Sequence, residues 1–73
     1  DVIQQENRAE LHAAMEQLPE RLRIVVYLRI WEDHSVPKIA AQLGIKESAV
    51  KMRIQRGLEK LRGILKKRGL TPP

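Results

Sequence analysis

Apolar side chains recur every three or four residues along much of the chain, which is the spacing of one face of an α-helix. The spacing is clearest between Val50 and Leu65, where Ile54, Leu58 and Leu61 occupy the intervening turns. No stretch shows the β-rich alternation of apolar and polar residues that is typical of strands. The pattern therefore predicts an all-α protein.

Breaks in this pattern divide the chain into four predicted helices. Pro19 suits the first turn of a helix, and Gly44 supplies the left-handed residue that ends one. The predicted helices cover residues from about 6–18, 19–31, 36–43 and 47–66, and about 67–73 form a frayed tail. We expect residues 1–5 to fray as well. The second helix is apolar on almost all sides, so we expect it to be the central helix of a single four-helix domain spanning residues 1–73.

The third and fourth predicted helices are joined by a short segment that contains a glycine. This arrangement is the sequence form of a C-terminal helix-turn-helix unit, although a simple helical hairpin would share part of it. Ala40 must be small because the fourth helix crosses over it, and Ser35 is the expected N-cap of the third helix. The predicted core of the unit consists of Ile39, Ala40, Leu43, Gly44, Ile45, Val50 and Ile54.

Two further glycines fall inside the predicted fourth helix, where each costs about 1 kcal/mol relative to alanine. We expect Gly57 to permit the close approach of a neighbouring helix. We expect Gly63 to mark the point where the helix begins to fray.

Charge is distributed unevenly along the chain. The net charge is +5, yet residues 1–37 carry four basic and seven acidic side chains, and residues 38–73 carry ten basic and two acidic ones. Such an asymmetry indicates that one face of the domain contacts a polyanion. A solvated helix followed by a basic tail is the alternative interpretation.

The fourth helix separates an apolar side from a basic one. Ser48, Lys51, Met52, Gln55 and Arg56 lie opposite the apolar stripe, where they would fit the major groove of DNA. Arginine and lysine donate to guanine, glutamine pairs with adenine, and a methionine contacts the methyl group of thymine. For Lys51, the alternative is an ion pair with Glu47, one helical turn away.

Contacts with the DNA backbone are expected beside this face. Lys38, Lys46 and Arg53 are the predicted phosphate contacts, together with the first-turn amides of the third and fourth helices.

Other classes of function find little support in the sequence. There is no cysteine, which agrees with a reducing intracellular setting, and His12 and His34 are too isolated to predict a metal site. No phosphate-binding glycine loop is present, so we predict neither an enzyme nor a bound cofactor.

The longest apolar run covers residues 24–28, far short of the roughly 20 residues that span a bilayer. The missing initiator Met leads us to expect a piece of a longer protein.

The stretch from Leu18 to Leu65 resembles region 4 of bacterial sigma factors, most closely the extracytoplasmic-function group, called ECF below. The resemblance rests on a Leu-Pro pair with an arginine four residues later, on the turn sequence Leu-Gly-Ile, and on the helix sequence Val-Lys-x-Arg-Ile-x-Arg. The matching residues are Leu18, Pro19, Arg23, Ser35, Ile39, Ala40, Leu43, Gly44, Ile45, Val50, Lys51, Arg53, Ile54 and Arg56.

The resemblance implies that the domain recognises the −35 promoter element during transcription initiation. The base-reading positions fall on Lys51, Met52, Gln55 and Arg56, with Arg53 and Lys38 near the DNA backbone. It also implies a bacterial, cytoplasmic protein, associated with the nucleoid, whose apolar groove docks on the β-subunit flap of RNA polymerase core. An anti-sigma factor competes for such surfaces in many members. The residues expected to face a protein partner are Leu22, Val26, Trp31 and Leu65.

Some positions depart from the family pattern, and two other functions stay open. Lys38 stands where glutamate is usual, Met52 where a small polar residue is common, and Gly57 where alanine is usual. These departures leave the recognised promoter sequence undetermined. The alternatives are the output domain of a response regulator, and a protein-interaction module bound by an anti-sigma factor.

Overall fold

The computed structural model describes the backbone of residues 2–67 and the side chains of residues 9–67. Within that range the protein has four α-helices and no strand, which confirms the predicted all-α fold. The helices are α1 (Val2–Met15), α2 (Glu20–Ile30), α3 (Val36–Leu43) and α4 (Glu47–Lys67). Most of the predicted tail, residues 68–73, lies outside the described residues.

The first helix differs from its predicted bounds at both ends. It begins at Val2, so residues 2–5 are helical rather than frayed, and it ends at Met15 rather than at Leu18. After Met15 the Leu18 N–H donates to the Met15 carbonyl at 3.0 Å, which is a tighter turn than an α-helix makes. The early end follows from Pro19, because a proline has no N–H to donate to the carbonyl four residues before it, here that of Met15, and its ring clashes with that carbonyl.

The fourth helix, and not the second, is the central helix of the domain. α4 packs against each of α1, α2 and α3, so the prediction that α2 would be central is wrong. Its apolar stripe meets the three other helices in one core, and no polar side chain of residues 9–67 is buried. The buried apolar residues are Ala14, Met15, Leu18, Leu22, Val25, Val26, Ile39, Ala40, Val50, Leu61 and Leu65.

The two glycines of α4 have different surroundings. A Cβ atom placed on Gly57 would lie 2.6 Å from Val26 Cγ2 and 3.5 Å from the Leu22 carbonyl oxygen, so α2 crosses α4 at this glycine. The predicted role of Gly57 is therefore confirmed. Gly63 has no atom within 4 Å of such a Cβ, and α4 continues past it to Lys67. The expectation that the helix frays from Gly63 is wrong.

The same substitution at these two glycines should change stability in opposite directions. Gly57→Ala should lower the free energy of unfolding by about 1 kcal/mol. The added methyl group overpacks the contact with Val26, which costs about 1–3 kcal/mol, and the higher helix propensity of alanine offsets up to about 1 kcal/mol of that loss. Gly63→Ala should raise the free energy of unfolding by about 0.5–1 kcal/mol, because alanine is the better helix former and the site is open. Urea denaturation followed by circular dichroism at 222 nm measures both changes.

A second variant locates the cause of the loss. In a Val26→Ala background the Cγ2 atom is absent, so Gly57→Ala should no longer destabilise the domain. Equal losses in the two backgrounds would show that the approach of α2 to α4 at Gly57 is not what makes this position sensitive.

Candidate nucleic-acid interface

The turn between α3 and α4 fixes the direction in which α4 leaves the core. Gly44 is left-handed, with φ of 67° and ψ of 34°, and its N–H donates to the Ala40 carbonyl. The Ile45 N–H donates to the same carbonyl at 3.1 Å. This is the arrangement with which a glycine ends a helix, and it satisfies a carbonyl that the helix would leave unpaired.

The predicted core residues of the helix-turn-helix unit come together as expected. Ile39, Ala40 and Val50 are buried, and Leu43, Ile45 and Ile54 are half-buried against the core. Because these side chains lie on the inner sides of α3 and α4, the outer side of α4 is left to solvent.

The start of α3 is held by two side-chain contacts. The Lys38 N–H donates to Ser35 Oγ at 3.3 Å, which confirms Ser35 as the N-cap. In addition, His34 Nδ1 lies 3.2 Å from Gln42 Oε1, and this hydrogen bond ties the segment before α3 to its last turn. The second contact was not predicted from the sequence, because the two residues are eight positions apart and no local pattern connects them.

The outer side of α4 carries the predicted base-reading side chains. Ser48, Lys51, Met52, Gln55 and Arg56 are all exposed. Lys51 forms no ion pair with Glu47 among the described residues, so its ammonium group is free for another partner.

These side chains cover a wide arc of the helix. At 100° per residue, Lys51 and Gln55 lie roughly 40° apart, whereas Lys51 and Arg56 lie roughly 140° apart. Lys51 and Gln55 therefore occupy one flank of the outer side, and Arg56 occupies the other.

The predicted phosphate contacts belong to α3, to the turn and to α4. Lys38 is exposed in the first turn of α3, and Lys46 is exposed immediately before α4. Arg53 is half-buried within α4.

Residues 8–61 match the profile of the family described as Sigma-70, region 4. The chain belongs to the sigma-70 region 4 family. This membership agrees with the four helices and with the helix-turn-helix unit of the structure.

Individual relatives point to the same family. Over 67 residues the chain is 42% identical to the RNA polymerase sigma-E factor of Streptomyces antibioticus, an overlap of 92% of this chain and 37% of that protein. It is 36% identical to the RNA polymerase sigma factor SigV of Bacillus subtilis, over 85% of this chain and 37% of the relative. It is 42% identical to the ECF RNA polymerase sigma factor SigE of Mycolicibacterium smegmatis, over 81% of this chain and 23% of the relative. The chain thus matches less than two fifths of the length of these curated relatives.

The residues expected to face a protein partner are mostly inside this region 4 domain. Leu22, Val26 and Leu65 are only 6%, 0% and 7% exposed, so they cannot form an accessible surface. Only Trp31 is half-buried. The prediction is wrong for the first three residues because they pack in the core, with Leu22 and Val26 directly against Gly57 of α4.

A different apolar surface is exposed on the region 4 domain. Ile24 and Tyr27 are 36% and 38% exposed on the side of α2 that faces away from the core. The Tyr27 ring stacks on Trp31 with centroids 5.8 Å apart, and the His12 ring meets Trp31 edge-on at 5.1 Å. We call Ile24, Tyr27 and Trp31 the apolar face.

A cleft of about 320 Å³ adjoins the apolar face. It runs between α1 and α2, and its lining is largely apolar. The lining residues are His12, Met15, Glu16, Arg23, Ile24, Tyr27 and Leu28. The region 4 domain therefore presents an apolar surface on α2 and a basic surface on α4.

Two kinds of site are not found in the described part of the domain. None of the described helices combines the length and the apolar character required to cross a membrane. Nor do three or more His, Asp or Glu side chains of that part meet in a group that could hold a metal ion.

Proposed function

We propose that this chain is the promoter-binding part of an alternative sigma factor of the ECF group and recognises the −35 element through α4. The observation that carries the proposal is the outer side of α4, which is exposed and basic while its inner side is buried in the core. The family match and the relatives, which are RNA polymerase sigma factors, support the same conclusion.

Base recognition falls to the exposed side chains near the start of α4. Lys51 donates to the acceptor edge of a guanine, and Gln55 pairs with an adenine in the major groove. Ser48 donates to a base edge beside Gln55, Met52 contacts a thymine methyl group, and Arg56 donates to a base edge on the other flank.

The backbone contacts position α4 in the groove. Lys38 and Lys46 stand at the starts of α3 and α4, where the free amides and the helix dipole also favour an anion. Arg53 adds a third phosphate contact from within α4. These contacts supply affinity and register, and the base contacts supply sequence preference.

The apolar face provides a separate contact with RNA polymerase core. We propose that Ile24, Tyr27 and the adjoining cleft dock on the β-subunit flap, in place of the buried residues expected from the sequence. Exposed aromatic and aliphatic side chains beside a cleft are typical of the centre of a protein interface. In a sigma factor under negative control, an anti-sigma factor would compete for this face.

The proposed role is one of binding, in the cytoplasm and nucleoid of a bacterium, and it requires no catalytic group or cofactor. The response-regulator alternative is disfavoured by the family match over residues 8–61. The protein-interaction alternative predicts that the apolar face matters and that Lys51 and Arg56 do not.

Selection from a randomised duplex library tests sequence recognition. The chain should enrich one short motif, and Arg56→Ala should cost about 1–3 kcal/mol on that motif and relax preference at one base pair. Arg62→Ala is the matched control, because Arg62 is an exposed arginine further along the same helix. It should leave the motif unchanged. A steep salt dependence without any enriched motif would contradict base recognition.

Pull-down with RNA polymerase core tests the apolar face. The double variant Ile24→Ser/Tyr27→Ser should lose most binding to RNA polymerase core and keep its duplex affinity, because both side chains are exposed and line a cleft to which α4 contributes no residue. Ile30→Ser is the control, since Ile30 is 47% exposed but lies outside the cleft. Equal losses in the two variants, or none in either, would reject this docking surface.

A further inference from the structure

A second cleft, also of about 320 Å³, lies between the first turn of α2 and one side of α4. We call it the basic cleft. Its lining residues are Pro19, Arg21, Leu22, Ala49, Met52, Arg53, Arg56 and Lys60. Arg21 and Lys60 are not among the predicted DNA contacts, and neither belongs to the family pattern on which the resemblance rests.

The basic cleft concentrates positive charge without any internal compensation. Four of its lining side chains are basic, and none is acidic. The side chains of these four residues form no ion pair or hydrogen bond with other described residues. Such a concentration of like charge is unfavourable in the free protein, and a bound anion relieves it.

The cleft continues from the proposed base-reading surface. Arg53, Arg56 and Lys60 follow one another at intervals of three and four residues, so they lie on one side of α4. Met52 and Arg56 belong both to this side and to the edge of the outer side. Arg21 faces them across the cleft from α2. When α4 occupies the major groove, this side of the helix meets one of the two strands that border the groove.

We propose that the basic cleft holds a phosphodiester group of the bound DNA strand, with Arg21 and Lys60 as phosphate-binding residues on opposite walls. The proposal rests on the proposed function and extends the DNA contact from the helix-turn-helix unit to the start of α2. Guanidinium and ammonium groups converging from two helices suit a phosphate, and such contacts add affinity without sequence preference.

The salt dependence of duplex binding tests the proposal. The double variant Arg21→Ala/Lys60→Ala should reduce the slope of log K against log salt by about 0.9, because the cleft holds one phosphate, and each single variant should reduce the slope by no more than this amount. The affinity ratio of the wild type to the double variant should therefore fall by about 3.5-fold between 50 and 200 mM salt. Lys66→Ala is the matched control, because Lys66 is exposed on α4 and does not line the cleft. Circular dichroism establishes that each variant is folded.

Duplexes with single methylphosphonate groups locate the contact. One neutralised phosphate should weaken the wild-type chain and have no effect on the double variant. An unchanged slope in the double variant, or an equal change in Lys66→Ala, would overturn the proposal while leaving base recognition intact. If the wild type enriches no motif but the salt slopes of the cleft variants change as expected, the cleft is a phosphate-binding site and the proposed sequence recognition is rejected.

Discussion

The close approach of α2 to α4 at Gly57 is the contact on which the rest of the domain depends. A Cβ atom on Gly57 would lie only 2.6 Å from Val26 Cγ2. The two helices therefore pack more closely at Gly57 than a larger residue would permit. Together with this crossing, α4 packs its apolar stripe against α1 and α3, so α4 contacts every other helix. The outer side of α4 is consequently held in one orientation relative to α3 and to the turn at Gly44.

That orientation divides the surface into regions of different chemistry. The described basic side chains of the second half of the sequence lie on α3, on α4 and in the turn between them, while the uncovered side of α2 presents Ile24 and Tyr27. A nucleic acid and an apolar protein surface can therefore be bound on separate helices. A domain of this size buries only a small core. One long helix therefore serves both as the centre of the fold and as the contact surface.

The sequence predicted those parts of the domain that depend on local rules. Ser35, Gly44 and the spacing from Val50 to Leu65 each have a short-range meaning, and the structure agrees with all of them. The partner surface was not predictable in the same way, because α2 is apolar on almost all sides and its sequence has no period that tells the core side from the exposed side. The basic cleft was not predicted from the sequence for a related reason. Arg21 and Lys60 are thirty-nine positions apart in the sequence and line one cleft because α2 packs against α4.

The most direct test of the central claim is a titration of the ¹⁵N-labelled chain with its selected duplex, followed by amide chemical shifts. The account predicts that the largest changes fall on the first turns of α4, around Lys51, Gln55 and Arg56. Ile24 and Tyr27 should change little, and a scrambled duplex should give smaller and more even changes. Changes centred on Ile24 and Tyr27, with α4 unaffected, would contradict the claim that the outer side of α4 is what the DNA meets.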